Sequence, residues 1–254
     1  MLFCTLFVAV TEWSFSLFHG GILMAAISPQ RYAALEEAYG SMRHLFQFLA
    51  RYRSGCTLLD VGSGEGVLSL KIAQDLKAQR IVLVDNHYPP VIDLPPHAEF
   101  YFADVLSEEF VHRFQNQANV VVCQCVLHEV LHPAAAATNL IRVLPIQGVG
   151  LILDYTEAGW AQLRAESEQG KEHSVGHFAQ DTHNLSMVRQ QWGIDLGTDT
   201  GIRDFWESFF PRVPGECVLT FSGGVYSVLY IPKQWGEVKQ PPLDIAAVLR
   251  SRRR

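Results

Sequence analysis

Residues 58–66 read Leu58-Leu59-Asp60-Val61-Gly62-Ser63-Gly64-Glu65-Gly66, an apolar run that enters an acid and three alternating glycines before a helical pattern begins. Glycines at that density remove Cβ atoms where a strand turns into a helix, so a ligand can press against main-chain N–H groups. The spacing discriminates between ligands. The dinucleotide fingerprint, G-x-G-x-x-G, rests a pyrophosphate on the helix N-terminus, whereas the pattern here is D-x-G-x-G-x-G with Glu65 following Gly64. A carboxylate beside a pyrophosphate is repelled in a partly desolvated site. The turn therefore suits a polar ligand without phosphates; the alternative is a tight turn that holds no ligand.

Further acids recur at the ends of apolar runs. Arg80–Asp85 is a β-branched run ending in an acid about 20 residues beyond the turn, where a carboxylate can accept from two ribose hydroxyls. Phe100–Val105 ends likewise in Asp104-Val105, and Asn119–Glu129 is a nearly continuous apolar stretch of the kind buried on both faces of a parallel sheet. Val149–Asp154 follows Leu144-Pro145 and Gly148, as a strand follows a helix-ending turn. Taken singly, Asp85 or Asp104 reads more readily as a strand-end turn residue, and it is the succession of such acids that favours a site.

The string Asp60–Gly66, with these acids in order behind it, resembles the first motifs of the class I S-adenosylmethionine-dependent methyltransferases, and the resemblance spans roughly residues 57–155. It implies an α/β fold: a Rossmann-like, doubly wound, mostly parallel seven-stranded sheet with an antiparallel C-terminal strand. The implied cofactor is S-adenosylmethionine, which carries a ribose and adenine but a methionine tail in place of phosphates. Its expected contacts are Asp60, Gly62, Ser63, Gly64 and Gly66 on the turn, with Asp85 and Asn86 after the second strand. Asp104 is expected at the adenine amino group, the Val105 N–H at a ring nitrogen, and Cys125 beyond the fourth strand. Pro89, Pro90, Pro95 and Pro96 depart from the family, because they prevent a regular helix between the second and third strands.

Such a cofactor brings its own electrophile, so the protein mainly aligns an acceptor and, for a hydroxyl or a protonated amine, removes its proton. His128, just beyond the fourth strand, is the expected catalytic residue, since an imidazole titrates near pKa ~6.5. Its alternative is a histidine bonded to a backbone carbonyl, and Glu129, Tyr155 and the insertion histidines His173, His177 and His183 are lesser options. The Asn- or Asp-Pro-Pro-Tyr signature of enzymes that methylate nucleobase amines is missing. A small-molecule acceptor is expected. The rival readings are a non-catalytic S-adenosylmethionine-binding or regulatory module and, further off, a nucleotide-dependent oxidoreductase.

The elements that must position these residues follow from patterning. In 254 residues, 48% hydrophobic and 18% charged, one sizeable core can form. Residues 29–56, with Leu35, Tyr39, Met42, Leu45, Phe46 and Leu49 at helical spacing, read as one or two N-terminal helices. The methyltransferase domain is expected over 57–235, with a polar, helix-compatible, substrate-side insertion over about 157–205 and a tail over 236–254. Runs 216–222 and 225–231 flank Gly223-Gly224 as a β-hairpin.

A net charge of −6 gives no broad basic surface, so no nucleic-acid or membrane partner is expected; the closing Arg250–Arg254 segment reads as a solubilising tail. Five scattered cysteines make no disulfide framework and fit a cytoplasmic protein. No metal site is expected. Cys123 and Cys125 read as strand packing, and His173, His177 and His183 near Asp181 lack a ligand signature. Residues 1–28 read as an extension, with Met24 as the expected true start, because the apolar stretch has no charged n-region and is broken by Glu12.

Overall fold

The computed structural model describes residues 29–232 apart from 88, 171 and 223; the expected extension 1–28 with its start at Met24, and the tail 236–254, lie outside the described residues. The N-terminal segment is a single helix, α1 (Pro29–Arg53), ended by Gly55 at φ +71°. After it come β1 (Thr57–Val61), α2 (Val67–Leu76), β2 (Arg80–Asp85), β3 (Ala98–Phe102), α3 (Glu108–Phe114) and β4 (Val120–Gln124). The chain continues through α4 (Pro133–Arg142), β5 (Val149–Tyr155), α5 (Glu157–Glu168), α6 (Glu172–Trp192), α7 (Asp199–Phe209), β6 (Gly215–Ser222) and β7 (Val225–Pro232).

Local sequence explains the boundaries. Ser107, Thr156 and Thr198 each cap the following helix by accepting from the N–H three residues on, and Pro133 occupies the first turn of α4, where its missing N–H costs nothing. The proline-rich stretch between β2 and β3 forms no helix, as its composition dictates.

The seven strands form one sheet in the order β3-β2-β1-β4-β5-β7-β6. All pairs from β3 through β5 are parallel, β7 runs antiparallel to β5, and β6 and β7 pair antiparallel across the expected hairpin. Strands β1, β2, β4 and β5 are buried almost throughout, which matches their continuous apolar sequences; β3 and β6 are half-buried edges. Alternate residues feed two cores. On one face Phe46 of α1 and Ile72 of α2 pack over Leu58, Leu83, Val122 and Leu151. On the other, Phe110, Leu140 and Trp206 from α3, α4 and α7 cover Val82, Val121 and Ile152. The winding direction reverses between β1 and β4, and in open α/β sheets that switch point is where ligands bind, at the carboxyl ends of the strands.

Phe46 is fully buried and stacks on Tyr39 at 5.8 Å, so it anchors α1 to the sheet. Phe46→Ala should cost about 3–5 kcal/mol, read as a shifted midpoint in urea unfolding.

Candidate functional site

The glycine turn leaves β1 with Gly62, Gly64 and Gly66 all at positive φ (74°, 50° and 80°), a conformation that L side chains disfavour. It is tied to β2. The N–H groups of Gly62 and Ser63 donate to the Val84 carbonyl at 2.8 and 3.1 Å, and that of Gly64 donates to Asp85 Oδ2 at 2.9 Å. Asp85 Oδ1 accepts from the His87 N–H at 2.7 Å. The carboxylate at the end of β2 therefore fixes the turn's shape besides standing at its mouth. A Cβ on Gly62 would lie 2.1 Å from Val126 Cγ2, whereas a Cβ on Gly64 meets nothing within 4 Å. One glycine is required by packing; the other opens a face.

Beneath the turn lies a cluster of buried polar groups. Asp60 on β1 is 1% exposed, and burial pushes its carboxyl up to about 7, with Ser69 and Gln124 drawing it back only in part. Among the described residues, Asp60 Oδ1, Ser63 Oγ, Ser69 Oγ and Gln124 Oε1 have no hydrogen-bond partner. Buried polar atoms without partners are costly, the acceptor oxygens of Asp60 and Gln124 most of all, and a ligand that brings donors would satisfy them. An α-ammonium group has that chemistry, so the residues at hand fit a cofactor with a methionine tail.

On the other side of the switch point, Cys125 leaves β4 at φ +53° while its N–H still bonds the Leu153 carbonyl at 2.8 Å. That left-handed step ends the strand alternation, so Cys123 belongs to the core and Cys125 is half-buried outside it. The following turn brings His128, 3% exposed, onto β5: Nδ1 lies 2.6 Å from Asp154 Oδ1, and the His128 N–H donates to Asp154 Oδ2 at 3.1 Å. The ring is held by a carboxylate, not by a backbone carbonyl. Its Nε2 lies 3.8 Å from Asp181 Oδ2 of α6 and 3.9 Å from Glu129 Oε1. Burial works against a charged ring, but contact with Asp154, helped by Asp181 and Glu129, outweighs it and lifts the imidazole to about 9. Tyr155 and Trp160 wall the ring at 5.3 and 5.0 Å between centroids. Helix α6 rests on this turn, with Asn184 Nδ2 donating to the Glu129 carbonyl at 3.0 Å and Trp192 Nε1 to that of Leu131 at 2.9 Å.

Thus the ends of β1, β2, β4 and β5 gather Asp60, Gly62, Ser63, Gly64, Gly66, Asp85, Cys125 and His128 around the switch point. Asn86 follows Asp85 and is exposed; Asp104 stands beyond β3, exposed, with Oδ1 accepting from the Leu106 N–H at 2.9 Å, and Val105 is buried beside it. Sequence reasoning passed over Asp154, Gln124 and Trp160. Asp154 carried a readable signal, since it closes an apolar run of the sequence as Asp85 and Asp104 close theirs. Asp181, grouped in sequence with nearby histidines, instead meets His128; the side chains of His173 and His177 lie outside the described part.

No protein-family model matches the sequence, and no curated protein matches it. Solved structures do share the fold. The plantazolicin methyltransferase BpumL, in complex with a monoazolic desmethylPZN analog and SAH, superposes with a TM-score of 0.53 at 13% identity, covering 81% of this chain and 91% of that one. A Methanococcus maripaludis protein proposed to be an S-adenosyl-L-methionine-dependent methyltransferase gives 0.51 at 13% identity, covering 82% and 94%. The trans-methyltransferase CalH, in complex with SAH, gives 0.51 at 14% identity, covering 73% and 53%. The fold is that of the class I S-adenosylmethionine-dependent methyltransferases.

Two outcomes follow from the turn. Gly62→Ala should destabilise the protein far more than Gly64→Ala, whose cost is confined to backbone strain of about 1–2 kcal/mol; thermal unfolding of both variants measures the difference. Asp60 binds more protons folded than unfolded between about pH 4 and 7, so its contribution weakens the fold as pH rises through that window. Asp60→Asn should flatten that slope in denaturation midpoints taken across it.

Proposed function

We propose that this chain transfers the methyl group of S-adenosylmethionine to a small molecule bearing a hydroxyl or an amine. The observation that carries the reading is the glycine turn: an open face over Gly64, an acid at the mouth, and unpartnered buried acceptors beneath, all at the switch point of a methyltransferase fold. S-adenosylmethionine, when bound, supplies a sulfonium that makes its methyl carbon electrophilic. Asp60, with Ser63 and Gln124 nearby, receives the ammonium of the methionine tail. Asp85 accepts from the ribose hydroxyls while keeping Gly64 in place. Asn86, Asp104, the Val105 N–H and Cys125 border the adenosine.

His128 is the catalytic residue of this reading. Asp154 fixes its tautomer and orientation through Nδ1, so that Nε2 is the edge offered to the acceptor. Nε2 of the neutral His128 ring would take the proton that the acceptor's oxygen or nitrogen gives up on methylation, and because the carboxylates around the ring lift it to about 9, that form grows as pH rises toward 9. Tyr155 and Trp160 exclude water from that edge. The acidic balance of the chain and the missing nucleobase signature favour a small molecule over a nucleic acid. Among the described residues no helix is long and apolar enough to cross a membrane.

Calorimetric titration of S-adenosylhomocysteine into the full chain tests the cofactor site without knowledge of the acceptor. Saturable binding is expected, weakened at least ~10-fold by Asp85→Ala through loss of charge-assisted hydrogen bonds. Failure of the folded wild-type protein to bind would overturn the reading and leave the fold in another role.

A further inference from the structure

Three ligand-type atoms converge where the acceptor's proton is expected to leave. His128 Nε2, Glu129 Oε1 and Asp181 Oδ2 come from two separate segments, the turn after β4 and helix α6. Nε2 is 3.9 Å from the Glu129 oxygen and 3.8 Å from the Asp181 oxygen, and all three atoms lie within 4.8 Å of one another. A point equidistant from atoms so spaced is no more than about 2.5 Å from each, within the range of cation–oxygen bonds and a few tenths of an ångström from first-row metal–ligand distances. The charge balance points the same way: three carboxylates, two of them nearly buried, surround one imidazole.

The surroundings are also those of a ligating histidine. Nδ1 is engaged by Asp154 at 2.6 Å, which leaves Nε2 as the ring nitrogen for a metal ion, as the carboxylate behind a metal-bound imidazole does; the ion takes the place of the Nε2 proton. Independently, Trp160 is 7% exposed and stands at 85° to the His128 ring, and its indole N–H has no hydrogen-bond partner among the described residues. An oxygen atom bound beside His128 would accept from it.

We infer that His128 Nε2, Glu129 and Asp181 hold a divalent first-row cation of the manganese-to-zinc class, through which the His128 edge meets the acceptor. One imidazole and two carboxylates form a donor set suited to such ions and leave coordination positions open. The inference rests on the proposed methyl transfer for its acceptor: with the ion on Nε2, His128 is a ligand in place of the proton acceptor, and an acceptor oxygen bound to the ion would give up its proton more readily, to solvent on the half-exposed Glu129 side. An oxygen acceptor with a second oxygen nearby, such as a vicinal diol, a catechol or a hydroxy acid, fits the open positions. An aliphatic amine fits them less well.

The test is titration of MnCl2 into chelator-treated full-length protein, with free Mn2+ followed by electron paramagnetic resonance and a parallel ZnCl2 titration by calorimetry. One ion per chain is expected. Glu129→Gln, on a half-exposed side chain whose loss leaves the fold intact, should weaken binding at least ~10-fold, and Asp181→Asn likewise. S-adenosylhomocysteine binding on the same samples shows that each variant is folded and separates the two readings. If S-adenosylhomocysteine binds but neither ion does by about 1 mM, or if Glu129→Gln leaves ion affinity unchanged, the cation site is wrong and the methyl-transfer reading stands. If the ion binds and S-adenosylhomocysteine does not, the cation site stands and the methyl-transfer reading falls.

Discussion

The register of β4 between β1 and β5 is the constraint on which both halves of the site depend. Val61 pairs with Cys123, and Gln124 pairs with Leu153, so β4 ends level with its neighbours. One more bond, from the Cys125 N–H to the Leu153 carbonyl, holds the chain as it turns through a left-handed residue. The next three residues then serve two neighbours. Val126 packs over Gly62 so closely that no Cβ fits there, and His128 docks on Asp154. Because a slip of one residue would send each side chain to the opposite face, the glycine turn and the histidine are positioned by the same pairing. Neither could be moved without the other.

Electrostatics in this small volume is dominated by acids taken out of water. Asp60 and Asp85 stand on the turn side, and Asp154, Asp181 and Glu129 on the histidine side; all but Glu129 are nearly buried. Burying a carboxylate without a counter-charge is expensive, and the two sides meet that cost differently. Asp85 is compensated by backbone N–H groups and Asp154 by an imidazole, whereas Asp60 responds by holding its proton up to about pH 7.

Much of the fold was legible in the chain because it is written locally. The apolar runs that become β1, β2, β4 and β5 admit no other placement than a buried parallel sheet, and the four prolines after β2 exclude a helix by stereochemistry alone. The hairpin of β6 and β7 is readable for the same reason. The turn residues, too, could be found from spacing. What the sequence conceals is contact between distant segments: His128 and Asp154 are 26 residues apart, and only the order of the sheet makes their strands neighbours. Asp181 is harder still. It sits in a polar helix beside histidines that offer a more obvious grouping, and the way α6 leans on the turn after β4 cannot be inferred from periodicity. The N-terminal region, read as one or two helices, is a single helix that runs through Gly40 and ends at Gly55.

Helix α6 meets the turn after β4 through Asn184 and Trp192, which donate to carbonyl oxygens of residues 129 and 131, through Trp192 tilted against His132 at 5.0 Å, and through Asp181 beside His128. Carbonyl oxygens are present whatever side chains the turn carries, so these two bonds do not depend on the turn's own sequence. The stretch from α5 through α6 can therefore change where it does not touch the core, while Leu185 and Val188 keep it seated. Its loops and side chains can diverge to recognise a different molecule while β1, β2 and the glycine turn keep their shape, an economy by which one sheet can be redeployed across many chemistries without being redesigned.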